Sequence, residues 1–562
     1  MKKQLLCKLL LGFLYLPIQT FAGYFTFNPG DNVLLNTDRS IYITGEQVHF
    51  FATVWNGDDL NKPVQSQILY CEIITPDGDK IAGAKFLTNQ PSVGGCVNIP
   101  RNVLTGYYYI RAYTKLMRNY GPESYGYKQI RIINPGRVEI LATSNNKNTP
   151  GLKMIQPTSD GFKDMLIVSS DKAVYGARDT ITISVQTTNS PVSGFKNVSL
   201  SVVPEGTQSS SILLQSSKKM TNEKSGYYPE TRGLSISGKL TEASSTNPIP
   251  GKKVNLSIIG EGRNFMALRA DSSGRFFFAL PDYYGSRDLF ICAEKTGLLN
   301  VKIWIDNDFC TTPFQLPTPE FTLTEQERIT AQNMAQNMQI NSRFYPDSLQ
   351  EIQSTNKEES AFYGQPSAVI YLDKYIQLPT LEEYFNELPS QVKVRKRKGE
   401  SYFSIQSSGT ANLSFYDPLV LVDWVAVDEP SKILAVSPQN ISRIEVVNED
   451  YVKGGQTYGG IISIISKKGD FAGIDLPSTG IFISYHFLDE NNCVEKNKYS
   501  ATNMPDVRNT ILWKPDIPLQ KSKAEKIVFT APDTPGKYSI VFEGVTTKGE
   551  VFSVTNSFEV NN

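Results

Sequence analysis

The chain has 562 residues, with 56 Lys+Arg against 56 Asp+Glu. That length excludes a single core and points to about four or five domains, and the absence of net charge argues against the broad basic surface of a nucleic-acid binder. With 28 Tyr, 29 Phe, 40 Gly and 32 Pro, the composition predicts many short aromatic strands punctuated by turns, a mainly β fold.

Residues 1–22 have a basic start (Lys2, Lys3), an apolar core and short residues before Gly23, the layout of a secretory signal peptide cleaved after Ala22. Lys8 and Pro17 leave too short an apolar run for a span of about 20 residues. No later segment is apolar enough to cross a bilayer as a helix, and no lipid-attachment pattern surrounds Cys7. Export permits disulfides. Of the cysteines left, Cys71 with Cys96 and Cys292 with Cys310 are near enough in sequence to pair, whereas Cys493 has no near neighbour; buried thiols are the alternative, because sequence does not establish connectivity.

VLLNTDRSIYITGEQVHFFATVWN (33–56) holds two strand-like runs around a Gly-Glu turn, and LTGYYYIRAYT (104–114) closes the unit. Thr37, Asp38, Arg39, Ile41, Tyr42, Gly45, Glu46, Val48 and Phe50 resemble the macroglobulin-type domain, which implies a β-sandwich over 23–136. Asp171, Lys172 and Tyr175 echo the same pattern before an alternating strand and imply a second sandwich over 137–206, followed by a linker over 207–230. From 231 to 312, Gly238, Ile249, Pro250, Gly251, Val254, Asp271, Gly274 and Phe276 resemble the carboxypeptidase-regulatory-like domain, a transthyretin-like sandwich without peptidase chemistry. A helical connection over 313–371 follows. Thr324 and Glu327 can form a capping box, and Ile329, Met334, Met338 and Ile340 a partial apolar face; the methionines read as packing rather than as a copper site. A second helix is predicted over 381–388.

GGQTYGGIISIISKKG (454–469) raises the possibility of a phosphate loop, but Arg443–Asn448 and Ile461–Ser466 both read as strands, so its glycines join strand to strand and no helix follows. Its setting resembles the plug domain of TonB-dependent outer-membrane receptors of the Bacteroidetes type. Pro418, Leu419, Val420, Asp423, Val425, Pro438, Ile441, Ile444, Glu445, Val446, Tyr458, Gly459, Gly460, Ile461, Ile462, Lys467, Lys468 and Gly469 carry that resemblance, which implies a small α/β plug-like domain over 372–473. Trp424 stands where that pattern has glycine, so the local turn is expected to differ. About ninety residues follow Gly469, too few for the receptor's barrel of many strands. A further β-sandwich is predicted over 474–562, where Pro505, Asp506, Arg508, Trp513, Pro515, Asp533 and Gly536 resemble segments of macroglobulin-related bacterial proteins.

Chemistry is sparse. GGCVN (94–98) lacks the Glu-Gln of a macroglobulin thioester, no Gly-x-Ser-x-Gly elbow occurs, and His49 and His486 lie far apart in sequence without a metal-ligand pattern. Asp423 with Asp428 reads as turn chemistry rather than a catalytic pair, and the basic VRKRKGE (394–400) as a solvated hairpin end or a contact to an anionic surface such as lipopolysaccharide. No enzyme activity, cofactor or metal is expected. The resemblances imply a non-enzymatic exported binding or scaffold protein of a Gram-negative cell envelope, in the periplasm, at the outer membrane or on the cell surface. The alternatives are an accessory of TonB-dependent nutrient uptake, partnered by an outer-membrane barrel or TonB, and a thioester-free protease-binding macroglobulin.

Overall fold

The structure is a computed structural model. It describes residues 30–561 apart from 58–61, 89–91, 143–151, 156, 160–161, 163–164, 189–193, 209–212, 217–225, 261–262, 295–299, 345–360, 389–390, 398, 408–412, 491–503, 520–522 and 547–549. The expected signal peptide and Cys493 lie outside the described residues. The fold is mainly β. The chain forms two compact units, one from 1–229, 311–347 and 491–562, the other from 230–310 and 348–490.

The first unit begins with a sandwich of eight strands: Asp31–Thr37, Ile41–Ile43, Gln47–Asn56, Ile68–Ile74, Lys80–Leu87, Ser92–Asn98, Gly106–Tyr113 and Gly126–Ile133. The first, third and sixth make one sheet. In the other the order is fifth, fourth, seventh, eighth, and the short second strand runs parallel to the eighth. Phe50 and Phe86 meet edge to face at 5.1 Å between the sheets. Gly95 faces both rings, where a Cβ would come within 2.8 Å of each.

A second sandwich repeats this topology strand for strand. Leu166–Ser170, Thr180–Thr187 and Glu525–Thr530 form one sheet. In the other, Leu512–Pro515, Phe195–Pro204, Gly536–Thr546 and Val551–Asn561 lie side by side, and Val174–Gly176 runs parallel to the last. Their side chains share one core, from Leu166, Ile183 and Leu200 to Ile527, Phe542, Phe552 and Val560. The sandwiches expected at 137–206 and 474–562 are therefore halves of a single one. Sequence order concealed this because the fourth and fifth strands, joined by a short turn in the first sandwich, are separated here by residues 205–511.

That long connection first contributes to its own unit. Leu213–Ser216, inside the expected linker, pairs with both Gly126–Ile133 and Leu152–Ile155. The helix Glu325–Phe344 begins at the expected capping box: Glu327 N–H donates to Thr324 Oγ1 at 3.2 Å, and the Glu327 carboxylate accepts from Thr324 N at 2.9 Å. Its buried face is Thr330, Ala331, Met334 and Asn337. Ile329, expected on that face, is exposed, because the contact surface is rotated toward Thr330, which donates to Glu205 O, and Asn337, which meets Asn509.

The second unit opens with a four-stranded sheet, Asn264–Arg269, Lys253–Ile259, Ser286–Ala293 and Ile481–His486, and a three-stranded sheet, Arg275–Ala279, Ser235–Glu242 and Val301–Ile305. Ile481–His486 was expected in the C-terminal sandwich but completes this one. A five-stranded sheet follows, ordered Ala368–Tyr371, Ile441–Val447, Ile461–Ser466, Leu419–Val422, Val425–Ala426. The helix Leu381–Glu387 starts at a Thr380/Glu383 capping box. Phe265 and Ala267 pack on Leu419, Leu421, Ala426, Tyr458 and Ile461, and Phe290 and Cys292 on Val425. Each large apolar side chain so buried contributes about 1.5–3 kcal/mol.

Candidate interaction site

The glycine-rich stretch answers to backbone geometry. Gly454 and Gly455 have φ of 58° and 74° and join Tyr451–Lys453 to Gln456–Tyr458 as a two-residue hairpin turn. A Cβ on Gly454 would stand 1.5 Å from the Ala267 carbonyl oxygen, so this turn lies directly on the neighbouring strand. Gly459 N–H donates to Asp417 O at 3.1 Å, and Gly460 O accepts from Leu419 N at 3.0 Å. A Cβ on Gly459 would come within 2.5 Å of two carbonyl oxygens. These backbone groups are consumed within the fold rather than aimed at a phosphate.

The turn Asp423–Trp424 is also left-handed, with φ of 43° and 74°, between the paired Val422 and Val425. Trp424 thus takes the conformation expected of glycine, at a cost of order 1–2 kcal/mol. Two sets of contacts offset it. The Asp423 carboxylate accepts from Ser466 N at 2.8 Å, Ser466 Oγ at 2.6 Å and Phe471 N at 2.8 Å. The Trp424 indole stacks on Tyr363 at 5.6 Å and meets Phe362 edge to face at 5.8 Å.

These rings belong to a larger aromatic cluster. Phe362 also contacts Phe265 at 5.9 Å and Tyr451 at 6.0 Å. The Arg263 guanidinium lies 5.9 Å from the Trp424 ring and Lys453 Nζ 5.9 Å from Phe362. Tyr363 donates its hydroxyl to Glu445 Oε2 at 2.5 Å, and Arg443 donates to Oε1 at 2.6 Å. Burial, then the bond to Glu445, pushes the Tyr363 phenol up; burial, then the Asp428 charge, does the same to Tyr458. Burial lowers the Lys453 ammonium. Of the expected motif residues Asp423, Glu445, Tyr458, Gly459 and Gly460, the structure brings Glu445 to the cluster through Tyr363. Asp423 reaches it through its neighbour Trp424, Tyr458 is paired opposite Tyr451, and the two glycines act through the backbone. Sequence reading missed Phe362 and Tyr363. Their adjacency before Gly364 was the available signal, but their partners lie some sixty to ninety positions away or more.

The remaining candidates do not assemble a reaction centre. Asp423 is committed to Ser466 and Phe471, whereas Asp428 pairs with Lys253 at 3.2 Å. His49 N donates to Asp38, and the His486 ring meets Ser286 and Asp489. Among the described residues no group of His, Cys, Asp or Glu is arranged to hold a metal ion.

Neither expected cysteine pair is a disulfide: Cys71, Cys96, Cys292 and Cys310 are thiols. Cys96 lies on the opposite side of its strand from the buried Val93, Gly95 and Val97, away from the interior that a bridge to Cys71 would cross. Cys292 packs with Phe290 against Val425 rather than toward Cys310, and burial pushes its thiol up to about 12.

No protein-family model matches the chain, and no curated relative matches it. Solved structures similar to it include bacterial alpha-2-macroglobulins at low identity. The Salmonella protein reacted with methylamine is 10% identical with a TM-score of 0.16, over 96% of this chain and 24% of that one. The native conformation of the E. coli protein is 9% identical with a TM-score of 0.24, over 96% and 40%. The E. coli protein activated by porcine elastase is 11% identical with a TM-score of 0.23, over 94% and 44%. The chain thus spans less than half the length of each.

Proposed function

We propose that this chain is a thioester-free, macroglobulin-like binding or scaffold protein, exported to a Gram-negative cell envelope and without enzyme activity. The observation that carries this reading is the insertion: a duplicated sandwich accommodates 205–511 in one strand connection, and that connection includes a separate compact unit with an aromatic and cationic cluster. Rings flanked by Arg263 and Lys453 suit recognition of a protein surface, where aromatic and arginine side chains dominate contact energies.

A second reading, an accessory of TonB-dependent uptake, is favoured by the five-stranded sheet and its glycine turns. Affinity capture of the full mature protein from native envelopes after crosslinking separates the two. Recovery of surface or periplasmic proteins supports a binding module, and recovery of an outer-membrane barrel or TonB supports uptake. Recovery of neither overturns both.

A further inference from the structure

The basic segment singled out in the sequence acquires a specific geometry in the second unit. Val392–Arg397 and Glu400–Ile405 form a hairpin that, among the described residues, is a two-stranded sheet of its own. Val392 and Val394 lie opposite Ile405 and Phe403, and this side packs into the core with Leu381, Tyr384 and Phe385 of the helix Leu381–Glu387; Phe385 and Phe403 meet edge to face at 5.0 Å. Strand alternation places Lys393, Arg395 and Arg397 on the other side, about 7 Å apart along the chain.

Directly across from them stand Ser404, Tyr402 and Glu400. Arg395 and Arg397 are exposed and Lys393 is half-buried. Among the described residues of the hairpin, Glu400 is the one carboxylate on this side. Glu382, Glu383 and Glu387 belong to the helix covering the opposite side, where Glu382 lies 3.8 Å from Lys396. The hairpin therefore segregates an apolar underside from an outward row of three cations with a tyrosine at its middle.

We propose that this outer face docks on an anionic lipid surface through phosphate headgroups. The charge is complementary, and a half-buried tyrosine among cations suits the headgroup layer, where amphipathic rings concentrate. The inference goes beyond the protein-binding reading and does not depend on it.

The test uses the full mature protein and flotation with phosphatidylcholine vesicles, with and without phosphatidylglycerol. Binding should require phosphatidylglycerol and weaken as salt rises. Each cation removed should weaken it about fivefold, so K393Q/R395Q/R397Q should bind roughly a hundredfold less. R395K/R397K should retain binding, since the surface reads charge. K523Q/K526Q/K537Q, which removes three exposed lysines of the first unit, should bind as the native protein does. Circular dichroism of the triple glutamine variant should match the native protein, because the replaced side chains face outward. Equal binding to neutral vesicles, or undiminished binding by the hairpin variant, overturns the proposal. So does hairpin-dependent binding to a polyglutamate peptide without binding to vesicles, which would assign the face to an acidic protein.

Discussion

The two sandwiches of the first unit use one corner twice, and its surroundings differ. In the first, Tyr42 donates to Asp38 Oδ1 at 2.6 Å, Arg39 N meets the Tyr42 hydroxyl at 3.4 Å, His49 N donates to Asp38 Oδ1 at 3.2 Å, and Thr37 Oγ1 donates to Arg39 O at 2.8 Å. In the second, Tyr175 donates to Asp171 Oδ1 at 2.7 Å, Lys172 N to the Tyr175 hydroxyl at 2.9 Å, Thr182 N to Asp171 Oδ1 at 2.7 Å, and Ser170 Oγ to Lys172 O at 2.7 Å. Even the turn is repeated: Gly45 and Arg178 both have positive φ, and Glu46 and Asp179 each accept a backbone N–H three residues earlier.

The first corner is closed over. Arg39 sits between Glu46 at 2.9 Å and Asp38 at 3.4 Å, Thr510 donates to Asp38, Asn509 donates to Glu46, and Met334 lies 3.8 Å from the guanidinium. In the second, Asp171 and Lys172 face solvent. The same hydrogen-bond pattern thus serves as a buried ionic node in one place and a surface turn in the other, and the difference lies in what covers it.

The largest expected contrast is between Arg39→Met and Lys172→Met. The first strands the buried Asp38 carboxylate and the partly buried Glu46 carboxylate and should cost about 3–5 kcal/mol. The second should remain within about 0.5 kcal/mol. Urea denaturation followed by fluorescence measures both, and equal costs would break the comparison. Tyr42→Phe comes next, at about 1–3 kcal/mol, because it leaves a buried carboxylate oxygen short of a donor; Tyr175→Phe should cost about 0.5–1.5 kcal/mol, since water can replace the hydroxyl.

A pH effect distinguishes the exposed corner. The Tyr175 hydroxyl bond, then the backbone bond from Thr182, holds the Asp171 carboxyl below its ordinary 3.8. Its stabilising contribution is therefore present above that value and lost as pH falls through the lower folded value. A carbon-13 titration of Asp171 should give a midpoint below 3.8, and Tyr175→Phe should raise it; a midpoint at or above 3.8 in the native protein contradicts the assigned network. The smallest effect is expected for Arg178→Gly, which relieves a left-handed residue but removes bonds to Asp533 at 2.8 and 2.7 Å. Those contributions oppose each other, so a thermal melt should place the variant within about 1 kcal/mol of the native protein.

Local order was legible along the chain wherever it depends on near neighbours. The strand Ile461–Ser466, the Thr324/Glu327 capping box and the strand-to-strand reading of the glycine loop follow from side-chain alternation, short-range hydrogen bonds and turn residues. The Asp-Lys-x-x-Tyr echo was legible for the same reason, because its hydrogen bonds close within a dozen residues. The aromatic site was only half legible: Asp423, Glu445 and Tyr458 stand in a motif, whereas Phe362, Tyr363 and Arg263 join them across long sequence separations.

By itself the sequence determined a mainly β chain, its turns, a capped helix, a second shorter helix and the repeated corner, since each rests on interactions among residues a few positions apart. Only the tertiary structure decided that Phe195–Pro204 pairs with Leu512–Pro515, that Ile481–His486 completes the sheet begun at Lys253–Ile259, and that one copy of the corner is buried and the other exposed. The physical reason is that strand pairing and burial depend on which surfaces meet, and alternation along a strand specifies a face without naming its partner.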